Sequence, residues 1–129
     1  MKEFAAANWQ RAQRDLESAR MVVDADPDSA ASRAYYAVFH AATAFFALRG
    51  EAFSKHSAVR AAVHRDLVRE GVVSEQNGRD YDLLMDLRET ADYGGLSRVT
   101  SEGVSEAIGR AAAFVLAIAD MCPELKGKG

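Results

Sequence analysis

Residues 29–50 read SAASRAYYAVFHAATAFFALRG, and this stretch decides the fold. Two apolar stripes run through it at helical spacing: Tyr35, Phe39, Ala42 and Phe46, then Val38, Ala41, Phe45 and Leu48. A helix that is apolar on most sides must be surrounded by other helices. One seam departs from the pattern. Ser29, Ser32, Arg33, Tyr36, His40 and Thr43 recur mostly every three or four residues and so share a face. Arg33 and His40 lie seven residues apart, two helical turns, and stand nearly one above the other. A guanidinium and an imidazole on an otherwise apolar helix are costly to bury without partners. This seam is therefore the candidate functional face.

The flanking sequence supplies the surrounding helices. Over residues 3–24, Ala5, Trp9, Ala12, Leu16, Ala19 and Val23 form one stripe, with Trp9 as a core anchor. Arg11, Arg14, Asp15, Glu17 and Arg20 fill the other faces of this amphipathic helix. DADPD then breaks the chain: Pro27 suits a first helical turn, and Asp26 or Asp28 can cap the next helix. Gly50 suits a left-handed C-cap.

Ser54 is the expected cap of a third helix over 55–70, closed by Gly71 and burying Val59, Ala62, Val63 and Leu67. His56 falls in its first turn, where the helix dipole disfavours a cation, so it is expected to be neutral or bonded to a neighbour. His64 is expected to face solvent without a role. Ser74 begins a fourth helix, weakened early by Asn77-Gly78, with Tyr81, Leu84, Leu87, Arg88 and Ala91 inward. Asp92 lies one turn beyond Arg88 and can pair with it, and Tyr93 and Gly94-Gly95 finish the helix. Thr100 or Ser101 caps a last helix carrying Val104, Ile108, Ala111, Val115, Ile118 and Cys122. Pro123 stops it, and residues 123–129 read as a flexible tail. The expected architecture is all-α: an antiparallel up-and-down four-helix bundle with an additional shorter helix, in a single domain spanning 1–129.

Composition narrows the function classes. At 129 residues and 49% apolar content the chain can build a real core. No apolar run is long enough to span a bilayer, and the charged N-terminus lacks a signal peptide's apolar segment. Cys122 is alone, which excludes an intrachain disulfide and reads as a buried small hydrophobe. A soluble cytoplasmic protein is expected. A net charge of −3 argues against wholesale coating of nucleic acid, and Arg60, His64, Arg65 and Arg69 read as a solvated helix face. Gly-rich phosphate loops, Ser-His-Asp spacing and ExxH pairs are absent, and the three histidines do not form an obvious zinc site. Neither a metal nor a cofactor is expected.

Two polar pairs remain on inward faces: Arg33 with His40, and Arg88 with Asp92. Arginine and histidine together suit RNA cleavage without a metal. Histidine moves a proton at neutral pH, arginine holds the scissile phosphate, and the nucleophile is the RNA's own 2′-hydroxyl. On spacing alone, a buried hydrogen-bonded seam fixing helix register is favoured over a catalytic pair.

Three blocks in order, SRAYYAVFHAATAFF, SKHSAV and LRETADYG, resemble the HEPN domain family over about residues 28–94. They are similar to small stand-alone members with an SRxYYAxFH segment and a later RxxADY segment. The resemblance implies a helical bundle, a homodimer, and a minimal nucleotidyltransferase antitoxin as partner. Active members are metal-independent endoribonucleases with four to six residues between an Arg and a His, often in a cleft across the dimer. Carried over, Arg33 and His40, with six residues between them, become the catalytic pair. Tyr36, Arg88, Asp92 and Tyr93 become supporting or RNA- and nucleotide-binding residues. One departure stands out: many toxin members carry the Arg–His motif nearer the position of Arg88, where this chain has Asp92 and Tyr93 but no histidine. An aspartate there repels phosphate, so a non-catalytic nucleotide- or partner-binding module stays open as the alternative.

Overall fold

The computed structural model describes residues 2–93 and 99–126, and these are all-helical. Helix α1 (Lys2–Val22) lays its stripe of Ala5, Trp9, Ala12, Leu16 and Ala19 into the core, with Val23 just beyond. A short turn leads to α2 (Pro27–Leu48), which starts as the sequence predicts. Pro27 sits in the first turn and Asp26 caps it, accepting from the Ser29 backbone N–H at 3.2 Å and the Ser29 hydroxyl at 2.6 Å.

Helix α2 is the hub of the bundle. Its alanines at 30, 31, 34, 37, 41, 42, 44 and 47 are fully buried, so neighbouring helices approach its backbone closely. Tyr35, Val38 and Phe46 fill the remaining space, each such side chain contributing about 1.5–3 kcal/mol by burial. Gly50, at φ +78°, ends the segment in the left-handed region as expected.

The third helical segment departs from expectation. α3 (His56–Ala62) begins one residue later than predicted, with Lys55 extended at φ −119°, ψ 142° as its cap. No side chain caps it, so the expected Ser54 cap is not formed. The segment then widens into a π-helical turn over Val63–Val68, where the Arg69 N–H reaches back five residues to the His64 carbonyl at 3.1 Å. Val59, Ala62, Val63 and Leu67 are buried as predicted, and Gly71 closes the turn at φ +76°.

Helix α4 (Glu75–Tyr93) is capped by Ser74, whose hydroxyl accepts from the Asn77 N–H at 3.0 Å, while Asn77 Oδ1 accepts from the Ser74 N–H at 3.1 Å. Gly78 is no mere weak spot. A Cβ there would lie 2.7 Å from Val68 Cγ2 and 3.2 Å from His64 Cε1, so glycine lets α4 cross the π turn. Helix α5 (Ser101–Met121) is capped by Thr100 and buries the predicted stripe from Val104 to Ile118, with Cys122 at its end. Pro123 does stop α5, but residues 123–126 form a further turn, α6 (Pro123–Lys126), with Leu125 buried. The expected Gly94-Gly95 helix end and residues 127–129 lie outside the described residues. Among the described residues, no helix is long and apolar enough to cross a membrane.

Candidate functional site

Because α2 buries most of its circumference, its one half-open edge concentrates the chemistry. Arg33, Tyr36, Phe39 and His40 line that edge. His40 is only 8% exposed, and its Nδ1 lies 2.8 Å from Oδ2 of Asp15 on α1. Asp15 was expected on a solvated face; it is instead 7% exposed. Its α1 neighbours in the core, Asn8 and Ala12, place it on the margin of the buried stripe, opposite His40. An ionised carboxylate can only accept, so Nδ1 carries the hydrogen and Nε2 is the nitrogen left to meet a substrate.

Arg33 is linked to His40 through Asp15. Its Nη1 lies 3.8 Å from the other oxygen of Asp15, and its side chain is 57% exposed. The expected Arg33–His40 pair is thus a trio joined through Asp15, buried at the histidine and open at the arginine. A carboxylate this deep needs such cationic and hydrogen-bonding company to offset its lost hydration.

The second predicted pair joins the same edge from α4. Arg88 lies over the rings of Tyr36 and Tyr35, 5.3 and 5.5 Å from their centroids, in cation–π geometry. Asp92 Oδ2 stands 2.9 Å from Arg88 Nε, but the buried Nε–H is not aimed at it, so the link is an ion pair without hydrogen-bond geometry. Tyr93 is 86% exposed and, among the described residues, joins none of the ring contacts of the seam.

His56 was not foreseen as part of this constellation. The first residue of α3, it places Nδ1 2.7 Å from the Tyr35 hydroxyl and stacks on Phe39 at 4.3 Å between centroids. It meets the edge of Tyr36 at 5.8 Å, while His40 stacks on the same Tyr36 at 5.7 Å. Burial, aided by Arg88 and His40, lowers the imidazole below its ordinary value of 6.5, so the expected neutral and bonded His56 is found. Tyr35 is pushed up to about 12, chiefly by burial, and Tyr81 behind it is raised well above 10, again by burial. The Tyr81 hydroxyl influences Tyr35 electrostatically but forms no hydrogen bond of good geometry. Both phenols are therefore neutral at physiological pH.

A second Arg–Asp–His group sits at the π turn. Asp82 Oδ1 accepts from Arg60 Nε at 2.8 Å and lies 2.9 Å from His64 Nε2. His64 is thus tied to α4 rather than merely solvated, and Arg65 pairs with its neighbour Asp66. Two shallow grooves lie away from the α2 edge: one of about 380 Å³ between α4 and α5, and one of about 360 Å³ between α1 and α5.

Comparison with known proteins gives a consistent picture. The family model described as HEPN domain matches residues 5–121. The chain is also 35% identical over 127 residues to a Thermotoga maritima protein named "UPF0332 protein", spanning 97% of this chain and 96% of that one.

Proposed function

The chain belongs to the HEPN domain family, and from that premise we propose that it is a metal-independent endoribonuclease, the toxin-type component of a pair with a nucleotidyltransferase antitoxin. One observation carries this reading: His40 is held at Nδ1 by a buried carboxylate, with the exposed guanidinium of Arg33 bound to the same carboxylate. In this reading Arg33 binds the scissile phosphate and His40 Nε2 transfers a proton as the RNA 2′-hydroxyl attacks. Asp15 orients the imidazole and balances the charge it gains. Arg88, steadied by Asp92 and the Tyr36 ring, holds a neighbouring phosphate, and the exposed Tyr93 offers a ring to RNA. The working unit is a cytoplasmic homodimer; the exposed apolar side chains Phe4, Met21, Leu116 and Met121 are consistent with self-association.

The test is RNA cleavage by the purified protein in EDTA. The wild type is expected to cleave, and His40→Ala to lose at least about 100-fold in rate with its helical signal intact. Equal cleavage by both proteins would overturn the assignment.

A second reading, a nucleotide- or partner-binding module, is favoured by the slight exposure of His40 beside the half-exposed rings of Tyr36, Phe39 and His56. It predicts tight nucleotide binding or stable co-purification with a nucleotidyltransferase, without cleavage.

A further inference from the structure

His40 and His56 come from different helices, yet both border the rings of Tyr36 and Phe39. Their Nδ1 atoms have opposite kinds of partner. His40 leans on a carboxylate, which complements an imidazolium; His56 leans on the Tyr35 phenol, which is uncharged. The stack on Phe39 packs the His56 ring face to face, and the residue is partly exposed. Resting on the endoribonuclease reading above, we propose that His56 is the second proton-transfer group of this site, the general base that takes the 2′-hydroxyl proton, with His40 as the general acid.

The step balances without a co-reactant. The tautomer this role requires has His56 Nδ1–H directed at the Tyr35 oxygen, 2.7 Å away, and Nε2 free to accept the 2′-hydroxyl proton. The 2′-oxygen forms a bond to phosphorus as the bond from phosphorus to the 5′-oxygen breaks. His40 Nε2–H protonates that leaving oxygen, giving a 2′,3′-cyclic phosphate and a 5′-hydroxyl. His56 ends charged and His40 neutral, and exchange with water resets both. The groups that face His56 are Tyr35, Tyr36 and His40 from α2 and Arg88 from α4. None is a carboxylate, so the surroundings favour a neutral imidazole, the form a base requires.

RNA in which sulfur replaces the bridging 5′-oxygen separates the two roles, because a thiolate leaves without a proton. On ordinary RNA, His40→Ala and His56→Gln should each lose at least about 100-fold, the glutamine keeping a polar partner for Tyr35. On the sulfur substrate His40→Ala should recover to within about tenfold of wild type, while His56→Gln stays slow. His56→Gln cleaving ordinary RNA at the wild-type rate overturns the proposal and leaves the His40 reading standing. Rescue of His56→Gln rather than His40→Ala also overturns it, by exchanging the roles. No cleavage by the wild type overturns both. A measurement independent of any variant is the wild-type pH–rate profile. Ordinary RNA should give a bell, and the sulfur substrate should keep its rising limb and lose its falling one. A sulfur-substrate profile with no rising limb contradicts a histidine base.

Discussion

The fold builds the same trio of side chains twice, in different surroundings. Asp15 gathers Arg33 and His40 at the α2 edge, and Asp82 gathers Arg60 and His64 at the π turn. The His–Asp separations are nearly equal, 2.8 and 2.9 Å. Burial and atom choice set them apart. The His40 and Asp15 side chains are each 10% exposed, against 40% and 30% for His64 and Asp82. Asp15 takes Nδ1 of its histidine and leaves Nε2 out of the bond; Asp82 takes Nε2 itself. Arg60 is committed to Asp82 by a 2.8 Å hydrogen bond, whereas Arg33 stands 3.8 Å from Asp15 with its side chain 57% exposed. The lesson is that residue types do not make a site. A trio with its donors spent is a clamp, and one with a donor in reserve is a candidate for chemistry.

The sharpest stability contrast is between the two carboxylates. Asp15→Ala strands a buried imidazole and should cost about 3 kcal/mol, read from urea unfolding midpoints. Asp82→Ala removes a half-exposed pair and should cost no more than about 1 kcal/mol. Equal losses would erase the distinction drawn between the trios.

Next in size is Gly78→Ala, which tests how tightly α4 sits on the π turn beneath the second trio. The added methyl meets a stiff, β-branched Val68, so overpacking of about 1–3 kcal/mol outweighs a helix-propensity gain of about 1 kcal/mol. A rise in melting temperature would show that the turn yields.

The smallest effect is a pH dependence at the first site. His56 binds its proton less readily folded than unfolded, so below pH 6.5 the unfolded chain holds more protons. Its contribution to stability is complete above pH 6.5 and declines as pH falls beneath it. His56→Gln should flatten that part of the stability–pH curve; an unchanged slope would assign it to another group.

Local signals made most of the fold legible. Pro27 with Asp26, Gly50, Gly71, Ser74 and Thr100 mark real turns and helix ends, because each acts through its own backbone or a neighbour three residues away. The apolar stripes of α1 and α5 are likewise one-helix properties. What the sequence concealed were meetings between helices. Asn8 and Asp15 lie seven residues apart, both within the buried stripe of α1. That register was a usable sign that Asp15 faces inward, but its charge suggested solvent. His56 becomes a site residue only because α3 starts at His56, bringing it to Tyr35, a distance in sequence that no periodicity reports. The close approach at Gly78 similarly depends on Val68 and His64, which the π turn brings from another segment.

The most direct measurement compares His40→Ala with His64→Ala in an RNA cleavage assay containing EDTA. His40→Ala is expected to lose at least about 100-fold while His64→Ala stays within about twofold of wild type. Cleavage that falls equally in both variants, or in neither, would contradict it.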